Sequence, residues 1–196
     1  MGSTPATPAI CKQPPIFGGF IIIRVDFMKN GIIVVGFATV GKTTLSKKYK
    51  NVIDLESSPY RWDYSNIDYI PIEKRKGLKN RIENPNWPQN YYDAIKEAQT
   101  KYDIVLVQLI PMHLDYFDSH NMKYIIAYPS LNTWKLVEKR CLERGNNKDF
   151  ISHLKEVFIP FYLDPKKRKC ENFYSISDNK TLEFYLLNDG YKLIRN

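Results

Sequence analysis

Short apolar runs alternate with amphipathic stretches from about residue 28 to the end of the chain. Ile32–Val35 and Ile104–Val107 are continuous apolar runs, as strands buried on both faces require. The predicted strands are Ile32–Val35, Val52–Leu55, Ile104–Val107, Tyr124–Ala127, Phe173–Ile176 and Tyr191–Ile194. The predicted helices are Lys42–Lys50, Gln89–Thr100, Leu131–Arg144, Lys148–Phe158 and Leu182–Leu187. This alternation predicts an α/β fold with a parallel sheet flanked by helices.

The first 27 residues have a different character from the rest. Ser3–Pro15 contains four prolines and shows no amphipathic period. We expect residues 1–27 to be an extension or leader, in which Phe20–Val25 could add an edge strand, with Met28 as a natural start. The remaining 28–196 is long enough for one domain with a buried core.

Composition narrows the class of protein. Apolar residues make up 43% and charged residues 26% of the chain, which excludes a disordered or fibrous protein. The net charge of +8 favours nucleotides, nucleic acid or an acidic membrane as partners. Cys11, Cys141 and Cys170 form no C-x-x-C pair, so neither a disulfide framework nor a zinc site is expected. The apolar run Ile16–Ile23 is too short to span a bilayer, and we expect a cytoplasmic protein without membrane insertion.

One motif points directly to chemistry. Gly36–Thr43 matches G-x-x-x-x-G-K-[ST] between a predicted strand and a predicted helix. Glycines at both ends allow backbone N–H groups to turn into a concave phosphate nest. Lys42 would reach the β- and γ-phosphates, and Thr43 would ligate Mg²⁺. The residues expected to bind the phosphates are Gly36, Ala38, Thr39, Val40, Gly41, Lys42, Thr43 and Thr44. The alternative is a glycine-containing turn with a surface lysine.

On these residues, the chain resembles the P-loop kinases, and among them the branch similar to nucleoside-monophosphate kinases, over about Asn30–Asn196. Further phrases are similar to small kinase-like proteins of phages and bacteria. These phrases are Asp54–Ser58, Asn84–Pro88 with Tyr91, and the helix that carries Arg140 and Arg144. The resemblance implies a three-layer P-loop NTPase fold with ATP and Mg²⁺ as cofactors.

A long insertion separates the second and third predicted strands. It comprises 48 residues, 56–103, far more than an ordinary connection, and we interpret it as an acceptor-binding subdomain. Its aromatic rings could stack on a base while Arg61 or Arg81 meets a phosphate. The residues expected to contact the acceptor are Glu56, Tyr60, Arg61, Trp62, Trp87 and Tyr91. Alternatively, most of these aromatic residues form the small core of the insertion itself.

The region 130–150 is a candidate lid. Arg140 and Arg144 lie four residues apart, on one helix face, before a helix end at Gly145. The resemblance implies a lid whose arginines neutralise charge on the transferring phosphoryl group, a task that suits the guanidinium fork. Alternatively, Glu138 and Glu143 pair with these arginines in a surface network.

No acidic residue stands at the end of the third predicted strand, which closes with Gln108. Asp54 and Glu56 are the nearest substitutes, either as partners of the magnesium shell or as groups that orient the acceptor. Alternatively, they are helix-cap or loop carboxylates. We assign no base role to His113, because a lone histidine is more often structural.

The leading hypothesis is ATP-dependent phosphoryl transfer to a small acceptor, such as a (deoxy)nucleoside monophosphate, with Lys42, Asp54, Arg140 and Arg144 as catalytic residues. A second hypothesis is a P-loop ATPase or nucleotide switch without a small-molecule acceptor. A third, less favoured, is a polynucleotide-end kinase or nucleic-acid binder, suggested by the charge of +8 and the basic runs Lys74–Arg81 and Lys166–Lys169.

Overall fold

The structure is a computed structural model that describes residues 30–68, 70–71 and 81–196. The expected extension 1–27, with its edge strand at Phe20–Val25, lies outside the described residues, as does most of the basic run Lys74–Arg81. In the described part of the chain, no helix is long and apolar enough to cross a membrane.

The strands form two sheets. In chain order they are β1 (Ile32–Gly36), β2 (Val52–Leu55), β3 (Trp62–Asp63), β4 (Ile82–Glu83), β5 (Ile104–Gln108), β6 (Tyr124–Pro129) and β7 (Asn172–Ile176). Five of them form one sheet in the order β2-β5-β1-β6-β7, and all of its neighbours pair in parallel. The short strands β3 and β4 pair antiparallel within the insertion. The predicted parallel α/β sheet is therefore confirmed.

Helices flank this sheet. They are α1 (Lys42–Lys48), α2 (Ser58–Arg61), α3 (Gln89–Lys101), α4 (Pro111–Ser119), α5 (Trp134–Glu143), α6 (Lys148–Phe158), α7 (Pro160–Leu163) and α8 (Leu182–Asn188). The segment Leu131–Thr133, expected to be the start of a helix, is a separate 3₁₀ turn before α5. Gly145 has a φ of 74° and donates its N–H to the Leu142 carbonyl at 2.9 Å, which confirms the predicted helix end.

The prediction of a last strand at Tyr191–Ile194 is wrong. This segment lies beside the turn between α1 and β2, where the Asn51 side chain forms hydrogen bonds with two backbone groups of the segment. The Asn51 amide donates to the Lys192 carbonyl at 2.6 Å and accepts from the Ile194 N–H at 2.9 Å. The Lys50 N–H also donates to the Ile194 carbonyl at 2.9 Å, but backbone pairing with this turn amounts to an isolated bridge between Tyr49 and Arg195.

The core follows the central strands. Ile33–Val35, Val105–Val107 and Ile125–Ala127 have no exposed side-chain surface, as expected for strands covered on both faces. The chain leaves β1 towards β2 but leaves β6 towards β7, on the opposite side of the sheet. Such a reversal opens a crevice outside the carboxyl ends of the two strands, where α/β proteins bind ligands. The segment after Gly36 begins at this crevice.

Candidate functional site

The Gly36–Thr44 segment leaves β1 as a tight loop and enters α1. Thr39 and Gly41 have positive φ angles, of 67° and 101°, and a positive φ at Gly41 is the conformation that favours glycine. At Gly36 the constraint is steric, because an added Cβ would lie 2.8 Å from Cγ2 of Val40. Both glycines of the motif are therefore required by the course of the loop.

The Lys42 side chain folds back over this loop. Its Nζ donates to the carbonyl oxygens of Gly36 at 2.8 Å and Phe37 at 3.0 Å. Burial of the ammonium group lowers its pKa to about 8, an effect that the Asp54 charge opposes and the Arg144 charge adds to. A cation desolvated in this way gains strongly from a nearby anion.

The first turn of α1 contacts β2 through a polar pair. The exposed Thr43 donates its hydroxyl to Oδ2 of Asp54 at 2.7 Å. Hydroxyl and carboxylate oxygens are the ligands that Mg²⁺ prefers. The structure thus brings Asp54 beside Thr43, the residue predicted to ligate Mg²⁺.

A cavity of about 360 Å³ opens beside the loop. It is bounded by the loop itself, by α1, by the end of α5 and by the connection from β7 to α8. Its lining residues are Thr39, Val40, Gly41, Thr44, Leu45, Lys48, Arg140, Glu143, Arg144, Ile176, Ser177, Thr181, Leu182 and Glu183. The other residues expected to bind phosphate, Gly36, Ala38, Lys42 and Thr43, are not among its lining residues, and the side chain of Ala38 packs against the core.

Both candidate lid arginines line this cavity. Arg140 donates to the Thr39 carbonyl at 3.3 Å and forms an ion pair with Asp178 at 3.3 Å. Glu143 pairs instead with Lys139, at 3.8 Å. The arginines are thus brought next to the loop, which residue spacing alone did not establish.

Tyr91 is a core residue, so the prediction that its ring stacks on an acceptor base is wrong. The ring is fully buried and packs against Tyr60 and Trp87, with centroids 5.3 and 5.6 Å away. Its hydroxyl donates to the Leu55 carbonyl at 2.7 Å. Tyr91 therefore fastens α3 to the end of β2 as a core residue.

Two other predicted acceptor residues, Trp62 and Trp87, contact Arg61. This guanidinium lies over the rings of Trp62 and Trp87, at 4.7 and 5.7 Å from the centroids. Its Nε pairs with Glu83 at 2.9 Å. Glu56 is exposed just after β2, and the rings of Tyr60, Trp62 and Trp87 are partly buried, so this surface keeps both aromatic and charged groups.

His113 is buried beneath the insertion, with no exposed surface. Its Nδ1 lies 3.3 Å from the Tyr92 hydroxyl, and Nε2 has no hydrogen-bond partner among the described residues. Burial, together with the Arg61 charge, lowers the pKa of His113 to about 4. The ring is therefore neutral at pH 7, consistent with a structural residue.

The carboxyl end of β5 carries a neutral group. Gln108 is exposed there and accepts a hydrogen bond from the Ser57 hydroxyl through Oε1 at 3.0 Å. An amide therefore stands at the end of β5, as the sequence predicts, and the carboxylate that contacts the loop is Asp54 on β2.

Sequence reasoning missed two carboxylates near the cavity. Asp178 contacts Arg140, and Glu183 accepts hydrogen bonds from Lys48, at 2.7 Å, and from the Tyr49 hydroxyl. A signal for Asp178 was present, because Ser177 to Asn179 follow the carboxyl end of the last strand of the sheet. Polar residues there reach the same edge as the residues that follow β1.

No family model matches the chain, and no curated protein matches it significantly. The functional interpretation therefore depends on the geometry of the site itself.

Proposed function

We propose that this protein is a P-loop phosphotransferase that moves a phosphoryl group from ATP to a small acceptor, of which a (deoxy)nucleoside monophosphate is the leading candidate. The observation that carries the proposal is the Gly36–Thr44 loop, with Lys42 folded over it, at the reversal point of the sheet. Loops with positive φ at this position expose backbone N–H groups to anions.

The loop residues fit a triphosphate. Thr39, Val40, Gly41 and Thr44 line the cavity, so the loop borders the space that a ligand would occupy. Lys42 would exchange its two loop carbonyls for phosphate oxygens, which bind an ammonium more strongly because they are charged. Bound ATP would supply the phosphoryl group, with Mg²⁺ offsetting the charge of its phosphates.

Thr43 and Asp54 fit a magnesium ion. Their oxygens lie 2.7 Å apart, so Thr43 would contact the ion while Asp54 holds the hydroxyl in place. Arg140 and Arg144, on the cavity wall, would neutralise charge that develops on the transferred group. The insertion would supply the acceptor site through the exposed groups around Arg61.

Calorimetry with Mg·ATP and Mg·GTP tests the nucleotide site. Transfer of γ-³²P from ATP to a panel of nucleosides, nucleoside monophosphates and water then tests the reaction. We expect micromolar to millimolar binding and transfer to at least one nucleotide. Intact ATP binding without transfer to any nucleotide would remove the kinase assignment, and absence of binding would remove the nucleotide site as well.

A second function is favoured by one observation, namely the neutral Gln108 at the end of β5. A nucleotide switch or ATPase needs no acceptor site, and it would show water as the only phosphoryl acceptor. If ATP bound without being hydrolysed and this binding altered the affinity for a protein partner, the assignment would be the same. The acceptor panel separates these outcomes from those of a nucleotide kinase.

A further inference from the structure

Asp178 lies outside every motif in the sequence, yet it contacts one of the arginines that face the loop. We infer that Asp178 is a positioning residue, which holds the Arg140 guanidinium against the Gly36–Thr44 loop in the orientation that binds phosphate. The inference rests on the proposed function and assigns it one further residue.

Three segments far apart in the chain meet at this contact. Arg140 on α5 donates through Nη1 to the Thr39 carbonyl and through Nη2 to Oδ1 of Asp178, both at 3.3 Å. A guanidinium has five N–H donors in a rigid plane, so two contacts in that plane define its orientation. The remaining donors stay available to a ligand.

The position of Asp178 relative to the cavity indicates that it supports Arg140 and does not block the cavity. Arg140, Ser177 and Thr181 line the cavity, whereas Asp178 is not among the lining residues and its side chain is 69% exposed. The carboxylate therefore contacts the guanidinium from outside the cavity. It lies on the solvent side of the guanidinium.

The turn that carries Asp178 is itself well held. The Ser177 N–H donates to the Lys180 carbonyl at 3.0 Å, and the Lys180 N–H donates to the Ser177 hydroxyl at 3.2 Å. Thr181 then caps α8 by accepting from the Phe184 N–H at 3.2 Å. Asp178 thus projects from a braced turn, as a residue that orients another side chain must.

Charge and position predict opposite results when the Asp178 charge is removed. A carboxylate near an anion site weakens anion binding by Coulomb repulsion, so charge alone predicts that Asp178→Asn binds ATP more tightly. If Asp178 instead orients Arg140, the same variant binds ATP more weakly, because the arginine regains rotamer freedom. The sign of the change therefore decides between the two roles.

The test is titration calorimetry with Mg·ATP on the full chain and on the variants Asp178→Asn, Arg140→Gln and their combination. Asp149→Asn, on the exposed start of α6, is the matched control for a change of one charge. We expect Asp178→Asn to weaken binding about three- to tenfold, Asp149→Asn to leave binding unchanged, and Asp178→Asn to add nothing when Arg140 is already Gln. The thermal midpoint of Asp178→Asn should stay within about 4 °C of the wild-type value, as expected for an exposed pair.

Tighter or unchanged binding by Asp178→Asn would overturn the inference while leaving the nucleotide site intact. Additive effects of the two substitutions would also overturn it, because they would show that Asp178 acts without Arg140. If the wild-type chain bound no nucleotide, the proposed function would fail first and this role of Asp178 with it.

Discussion

The loop between β1 and α1 and the insertion between β2 and β5 both place polar groups in buried surroundings, but with different partners. In the loop, the partly buried Lys42 donates to two carbonyl oxygens, and Thr39 keeps a buried hydroxyl without a partner among the described residues. In the insertion, Tyr91 and His113 are buried against aromatic rings. The loop thus holds a cation whose hydrogen bonds go to neutral carbonyl oxygens, whereas the groups beneath the insertion are neutral side chains packed among rings.

This difference indicates how burial affects stability in each region. Desolvation of Lys42 opposes folding and would be relieved by an anion, so under the proposed function the loop binds its ligand at a cost to stability. The packed rings around Tyr91 stabilise the fold through apolar contact. We therefore expect substitutions in the loop to act on activity and substitutions beneath the insertion to act on stability.

Tyr91→Ala should cause the largest change, and in stability. Loss of a fully buried aromatic ring costs about 3–5 kcal/mol in the free energy of unfolding. Part of the cost arises because the Leu55 carbonyl loses its hydrogen bond from the Tyr91 hydroxyl, a share that Tyr91→Phe isolates. Urea unfolding followed by circular dichroism measures both variants.

Tyr64→Ala is the matched control, since Tyr64 belongs to the same insertion but not to the core cluster. It should lower stability much less than Tyr91→Ala does. If Tyr91→Ala unfolded at the wild-type urea concentration and lost only acceptor affinity, the original assignment of Tyr91 to acceptor binding would be restored.

Lys42→Ala should cause the next largest change, and in activity. Removal of one preorganised donor from a charged transition state costs about 10²–10³ in kcat, while relief of a desolvated cation leaves the fold at least as stable. Steady-state transfer assays and thermal unfolding, run on the same samples, separate the two effects.

Lys47→Ala serves as the control for Lys42→Ala, because Lys47 is exposed in the last turn of the same helix. Its kcat should remain near the wild-type value. A Lys42→Ala variant that keeps kcat within a few-fold of wild type would show that the loop is only a turn with a lysine.

The contrast between the two regions also explains how far the sequence could be interpreted. The loop is contiguous, so the spacing of Gly36, Gly41 and Lys42 predicts its position between strand and helix. The three central strands of the sheet followed from continuous apolar runs, because strands buried on both faces need such runs. The edge strands β2 and β7 followed from shorter runs that a polar residue interrupts.

Contacts between distant residues could not be predicted in this way. The spacing of Arg140 and Arg144 does not specify Asp178 as a partner, and the aromatic content of the insertion does not say which rings face inwards. For that reason the sequence predicts Tyr91 on the binding surface, whereas the structure buries it. The strand expected at Tyr191–Ile194 is absent. This segment bonds in part to the side chain of Asn51, far away in sequence, and its backbone pairing is an isolated bridge.

A pH titration measures how the burial of His113 affects stability. The pKa of His113 is lowered to about 4 from an ordinary value of 6.5. Between these values the unfolded chain binds more protons than the folded chain, so stability falls as pH decreases. The loss approaches about 3 kcal/mol by pH 4. Urea unfolding at pH 7, 5.5 and 4.5 measures it. His113→Phe should remove this component of the slope, and His153→Gln, at an exposed position of α6, should retain it.

The smallest predicted effect is a proton taken up when nucleotide binds to the loop. Lys42, with a pKa of about 8, is roughly half protonated at pH 8, and phosphate charge raises its pKa, so binding should draw about half a proton from the buffer. Calorimetry with Mg·ATP at pH 8, in buffers of different ionisation enthalpy, reports this number directly. Uptake should decline towards pH 6.5, where Lys42 is already charged. It should vanish in Lys42→Arg, because arginine stays protonated. Equal uptake in that variant would mean that the proton binds elsewhere, and that Lys42 does not meet the phosphates.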